Sequence, residues 1–358
     1  MTYTVDAIAR ATGLTLLGDG SLAVRRPAEP GTAREDDLAI ALSPVYATAL
    51  RGSRARAAVV WEGADWQALG LSAALVAPQA RVALAGITAH FQHPPDVEPG
   101  IHPSAVVEAG AEIGPDARVG AFVRVGARAR IGPGAVIAAH VGIGSDAVIG
   151  ARALLHAGVR IGARCVVGDR FVAQPNAVVG ADGFSFEPPR KGALASVMAG
   201  GEVGVPADDL PWLRIHSLAA VEIGDDVEIG AGTTIDRGTI ASTRIGSGTK
   251  IDNQVQIGHN VQVGRHCLLC GQAGIAGSTV LGDRVILGGK VGVPDHVRLG
   301  SDVIVAAGSL VAGNIPDRSV YMGVPAVPRS DALRQLTALR RLPRLADQLA
   351  EIRRKLGL

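Results

Sequence analysis

The run IDNQVQIGHN at 251–260 sets His259 among Asp252, Gln256 and Asn260. An imidazole can take a proton from an attacking amine or hydroxyl, and an acidic neighbour such as Asp252 can orient the ring and stabilise its charged form. Gly277 stands 18 residues further on, and a second histidine, His296, stands 37 further on. In a chain that coils every 18 residues, the His259 imidazole and the Gly277 amide lie one coil apart on one face. There the amide stabilises the oxyanion that forms when a carbonyl is attacked. The pairing suits acyl transfer, and it needs no Ser or Cys nucleophile when the substrate attacks a thioester directly. On spacing alone, a solvated turn histidine is an equal reading.

The coil is written in the sequence. From Ile113 to Val179 every sixth residue is Ile, Val or Leu, with Ala173 the exception, and from Ile245 to Val311 the series is unbroken. Small or apolar residues stand two places earlier, on the same side of a short strand. A period of six fits neither an amphipathic helix nor simple strand alternation. It fits short strands joined at tight corners, three hexads closing a triangular coil, with coils stacked about 4.8 Å apart as a parallel β-helix. Glycine after the aliphatic residue is expected to turn the corner at positive φ.

Residues 1–98 lack the hexads and read as a small α/β domain, with helices at VDAIARATG and RVALAGITAHFQ and strands near RAAVVWEG and SAALVAPQ. The β-helix occupies 99–320, with an irregular insertion at about 182–220. Residues 321–358 read as a C-terminal helical extension, starting near Ser330 as N-cap. Pro343 is expected to split or kink it. Leu345, Leu349, Ile352 and Leu356 form its apolar stripe. From Asp331 onward seven Lys or Arg face three Asp or Glu, a net charge of +4 in a chain whose total is +2.

That total is too small to make nucleic acid the main partner. Aromatic residues are only 3% of the chain while 47% is hydrophobic, so the core must be built from Val, Ile, Leu and Ala. With no apolar run long enough to span a bilayer and no leader pattern, the chain reads as cytoplasmic, at most peripheral to the inner membrane. Its three cysteines, Cys165, Cys267 and Cys270, fit a reducing compartment.

The runs VEIGDDVEIGAGTTIDRGTI at 221–240 and IGSGTKIDNQVQIGHNVQVG at 245–264, with ADGFSFEP at 181–188, closely resemble the UDP-3-O-acylglucosamine N-acyltransferase (LpxD) family of lipid A biosynthesis, among the hexapeptide-repeat acyltransferases. The three-part layout matches over essentially the whole chain. The resemblance implies a left-handed β-helix and a homotrimer with active sites between neighbouring chains. It implies transfer of a (3-hydroxy)acyl chain from acyl carrier protein to the 2-amino group of UDP-3-O-acylglucosamine. The phosphopantetheine thioester is then a co-substrate, with no cofactor and no metal. His259 would be the general base, Asp252 its support, the Gly277 amide the oxyanion donor and His296 a contact to substrate or the phosphopantetheine arm. Gln256 and Asn260 would line the substrate site. For uracil, DLAIALSPVY keeps Tyr46, but Ile40 stands where the family has phenylalanine and Ser43 where it has asparagine. The basic tail would attract the acidic carrier protein.

Three rivals remain at this stage. HCLLC at 266–270 invites a metal, but Cys267 falls on the inward position and no second CxxC pair accompanies it. A related O- or N-acyltransferase acting on another UDP-amino sugar would typically lack the first domain. A non-catalytic scaffold would have no reason to carry DNQVQIGHN.

Overall fold

The computed structural model describes residues 2–93, 95–187, 211–323 and 328–357, in two compact units, Met1–Pro94 and Pro95–Leu358. Most of the expected insertion (188–210) and most of GVPAVP (324–327) lie outside the described residues.

The first unit is α/β. Its five-stranded sheet runs in the order Thr15–Gly18, Ala73–Ala77, Ala57–Trp61, Asp37–Ala41, Arg26–Ala28, antiparallel at the first pair and parallel through the rest. Helices Val5–Thr12 and Ala80–Phe91 bury Ile8 and Ile87 with Leu38, Val59 and Leu75. Sequence periodicity picks out both helices and two of these strands, the fully apolar ones. Ile40 lies near the C-terminal end of the inner strand Asp37–Ala41, Ser43 caps the 3-10 turn Pro44–Tyr46 that follows it, and Tyr46 ends that turn.

The second unit is a parallel β-solenoid. Two- to four-residue strands form three sheets of eleven, nine and nine strands among the described residues, beginning with Gly100–Ile101, Val106–Val107 and Glu112–Ile113 respectively. Partners stand 18 apart, as in Glu112↔Arg130 and Gln256↔Gly274. The aliphatic series and the residues two places earlier fill one continuous core. Ala173 is no defect, because Phe171 two places before it is fully buried and supplies the missing volume. Buried hydroxyls are satisfied by the neighbouring coil, as when Thr233 Oγ1 donates to Asp252 C=O and Thr249 Oγ1 to Gly264 C=O.

Corner glycine has a different role from the expected one. Positive φ falls three residues after the aliphatic position, at Asp116, His140, Asn176, Asn260 and His296. The glycine directly after the aliphatic residue is required by close approach: a Cβ on Gly114 would lie 2.7 Å from Pro133 N, and one on Gly150 2.3 Å from Gly168 C. Each coil rests its corner on the bare backbone of its neighbour.

Two irregularities fall at one corner, between the second and third sheets. Val179 pairs with Ile235, 56 positions on, so 38 residues are added to the plain repeat; Ile235 pairs with Ile257, 22 on, so four are added. The described ends of the long insertion close as a hairpin, Phe186–Glu187 against Leu213–Arg214.

The C-terminal segment Arg329–Leu356 is one helix that runs through Pro343. Proline deletes one i→i−4 bond at a cost of about 3 kcal/mol, and the strong helix formers on both sides carry the helix past it. Ser330 lies inside the first turn, and Pro328 occupies the N-cap. Leu345, Leu349, Ile352 and Leu356 are exposed.

Gly150→Ala should lower the melting temperature by several degrees, since overpacking against unyielding backbone costs about 1–3 kcal/mol. Gly274→Ala, which points into open space, should melt with the parent in thermal unfolding followed by circular dichroism.

Candidate active site

His259 lies two residues beyond the buried Ile257, on the corner that carries both insertions. The short insertion fixes its neighbour. Asn260 Oδ1 accepts from the Thr239 N–H at 3.1 Å and hydroxyl at 3.0 Å, while Asn260 Nδ2 donates to Ala241 C=O at 2.9 Å. The carboxamide can therefore sit only one way round. Its oxygen also meets His259 Nδ1 at 3.0 Å, so Nδ1 carries the proton and Nε2 keeps its lone pair. The ring is oriented by an asparagine, with Nε2 open to accept a proton.

Glycines clear the space around that ring. A Cβ on Gly183 would lie 2.6 Å from His259 Cβ, and one on Gly277 would lie 2.7 Å from Cε1 and 2.9 Å from Nε2. Gly183 belongs to the long insertion and is tied to its far end by its N–H donating to Ser217 Oγ at 3.0 Å. Gly277 is the next coil, held by Ser278 N–H donating to His259 C=O at 2.9 Å.

Among the described residues the Gly277 amide is left open, as are those of Ser145 and Ala163 at the same corner of earlier coils. At other corners of the solenoid some of the N–H groups two places after the aliphatic residue are capped by a side chain of the next coil: Ala151 by Asp169 at 2.7 Å, Ala231 by Asn253 at 2.6 Å, Arg265 by Asp283 at 2.8 Å. Asp295 holds the corresponding place for Gly277, yet among the described residues Gly277 N–H meets no acceptor. A free N–H thus stands beside a free imidazole lone pair.

The remaining candidates divide. Asp252 does not join His259: it lies on the corner between the first and second sheets, where its carboxylate accepts from Gly271 N–H at 2.8 Å and Asn253 N–H at 2.7 Å. A carboxylate seven residues before the histidine is carried one hexad back, and a hexad is one face of the triangle. Gln256 is on the wall beside the base. His296 is on the same corner as His259, exposed, its N–H donating to Gly277 C=O at 3.1 Å. Tyr46, 40% exposed, Ile40 and Ser43 belong to the first unit.

Asp236 is the carboxylate that sequence reasoning missed. It is half-buried in the strand Thr234–Asp236, and Gln256 Nε2 donates to its Oδ2 at 3.0 Å. Burial pushes its pKa up to about 6, against the opposing pull of the His259 charge and the Gln256 hydrogen bond. The signal was the four-residue slip: counting 18 back from His259 misses it, whereas 22 reaches Arg237 beside it. HCLLC is wall, with Cys267 buried, its thiol pushed up by burial and its Sγ 3.3 Å from Gly282 C=O.

The stacked three-sheet solenoid built on hexads is the fold of the hexapeptide-repeat transferases. Residues 242–277 match the family described as bacterial transferase hexapeptide (six repeats), and 140–168 and 278–312 match hexapeptide repeat of succinyl-transferase. The chain is 49% identical over 355 residues to the UDP-3-O-acylglucosamine N-acyltransferase of Ruegeria pomeroyi, covering 99% of this chain and 98% of that one. It is 50% identical over 278 residues to the protein of the same name from Paracoccus denitrificans, covering 78% and 76%. The chain belongs to the UDP-3-O-acylglucosamine N-acyltransferase family. A solved Arabidopsis UDP-N-acetylglucosamine acyltransferase matches 63% of this chain and 71% of its own at TM-score 0.53 and 22% identity. That likeness is one of fold, the left-handed parallel β-helix.

Because the folded pKa of Asp236 is raised, the folded state gains stability as pH falls from above about 6 toward the usual carboxylate value of 3.8. Asp236→Asn removes that dependence. The variant should exceed the parent in stability at pH 7 to 8, and the gap should close as pH falls through 6 to 4 in denaturant unfolding.

Proposed function

We propose that this protein transfers a (3-hydroxy)acyl chain from the phosphopantetheine thioester of acyl carrier protein to the 2-amino group of UDP-3-O-acylglucosamine. The observation that carries this reading is the His259 Nε2 lone pair beside the uncapped Gly277 N–H. The amine nitrogen attacks the thioester carbonyl and gives a proton to Nε2. The oxyanion is stabilised by the Gly277 amide, worth about 3 to 4 kcal/mol where such donors have been removed. Collapse breaks the C–S bond, and His259 returns the proton to the departing thiolate.

Orientation of the base falls to Asn260 in place of Asp252. His296, on the same corner, would meet the substrate or the phosphopantetheine arm. In the first unit, Tyr46 would stack on uracil, with Ile40 packing and Ser43 hydrogen-bonding in place of the larger family residues. The exposed basic helix Arg329–Leu356 suits the acidic carrier protein. Assembly as a homotrimer and a cytoplasmic location complete the reading. No described helix is long and apolar enough to cross a membrane.

The acyl chain has a surface to lie on. Along the second sheet, the outward positions after Gln256 are Gly274 and Gly292, followed by Leu310, lining an open groove of about 500 Å³. The Leu310 side chain lies over Gly292, where a Cβ would be 2.8 Å from Cδ2. Three coils give the groove a length of about 14 Å, with Leu310 as its end.

His259→Ala should abolish acyl transfer to UDP-3-O-acylglucosamine while melting like the parent; near-normal turnover by the folded variant would overturn the assignment. In an assay with a panel of acyl carrier protein thioesters, Leu310→Ala should move the preferred chain to greater length. Gly274→Val should lower kcat/KM for every chain, and parental kcat/KM values across the panel in both variants would remove the groove from the site.

A further inference from the structure

We propose that Asp236 selects an amine over a hydroxyl as the attacking group, by accepting the second N–H of a nucleophile whose first N–H goes to His259. This rests on the acyl-transfer reading above. Asp236 stands on the second sheet one coil before Ile257, so it borders the His259 corner from below as Gly277 borders it from above. The His259 charge pulls the Asp236 pKa down against the effect of burial.

The hydrogen bonds around Asp236 leave an acceptor open. Gln256 Oε1 accepts from Thr234 Oγ1, which turns Gln256 Nε2 toward Asp236 Oδ2 at 3.0 Å. Among the described residues, Asp236 Oδ1 accepts nothing. The nearest guanidinium, Arg237, is turned away: it donates to Gly180 C=O at 2.9 Å and Ala163 C=O at 3.3 Å, and stands 3.9 Å from Asp182. Asp182, itself bonded to Arg214 at 3.2 Å, adds a second negative group nearby. A half-buried carboxylate oxygen without a donor therefore stands one coil from the His259 corner.

Counting protons decides what it fits. A primary amine attacks carbon through its lone pair and carries two N–H groups, one for Nε2 and one for Oδ1. It also gains positive charge as the C–N bond forms, which a carboxylate stabilises. A hydroxyl has one hydrogen. Once that is given to His259, its oxygen faces the Asp236 oxygen with nothing between them, a repulsion that rejects the wrong nucleophile.

The test compares UDP-3-O-acylglucosamine with the analogue bearing a 2-hydroxyl, using one acyl carrier protein thioester and the full chain. In Asp236→Asn, kcat/KM for the amine should fall about 10²-fold while transfer to the hydroxyl holds or rises, because the carboxamide can turn a donor toward the nucleophile. Gln256→Leu, at an exposed position, releases Asp236 from its donor and should shift the ratio the same way. An unchanged amine-to-hydroxyl ratio in both variants, or equal losses on the two substrates, overturns the proposal. A parent enzyme inactive on the amine overturns the acyl-transfer reading instead, and is distinguished by needing no variant.

Discussion

The backbone ladder between successive coils is the constraint on which the rest of this structure depends. Each coil is bonded to the next at every wall strand and again at the corners, as in Gly258 N–H to Ile275 C=O at 2.9 Å and Ser278 N–H to His259 C=O at 2.9 Å. Parallel strands paired in this way cannot slip without moving an entire aliphatic column out of the core. Corner glycines keep neighbouring backbones in contact. Catalytic geometry is thereby set by chain length: a residue 18 positions on is one coil away on the same corner, whatever the side chains between.

Irregularity is confined to where chemistry is proposed. Both insertions enter at the corner between the second and third sheets, and the ladder closes above and below them. The long insertion brings Gly183 against the His259 ring, and the short one brings Thr239 and Ala241 to hold Asn260. Side chains of the next coil cap amides mainly at the corner between the third and first sheets, as Asp169 caps Ala151 and Asp283 caps Arg265. At the corner with the insertions, Gly277 N–H, His259 Nε2 and one Asp236 oxygen are all unspent among the described residues. Local rules of regular packing give way here, as they commonly do at functional sites.

Legibility in the sequence follows the same division. The hexads disclosed the solenoid, its core and the His259 to Gly277 spacing, because no insertion lies between those two residues. Asp236 was hidden because the four added residues break the count, and only the pairing of Ile235 with Ile257 restores it. Asp252 is near His259 in sequence but one corner away in space. Asn260 was visible as a neighbour, but its role depends on Thr239 and Ala241, which a periodicity argument treats as noise. The single helix through Pro343 shows helix formers overriding a local breaker.

The central claim is that the corner holds His259 with its proton on Nδ1 and its Nε2 lone pair open toward Gly277. Nitrogen-15 NMR of histidine-labelled protein at pH 8 reads the tautomer directly. The account predicts a protonated Nδ1 and an unprotonated Nε2 for His259, with the preference weakened in Asn260→Ala. An Nε2-protonated ring in the parent would contradict it, because that nitrogen would then have no lone pair with which to take the substrate's proton.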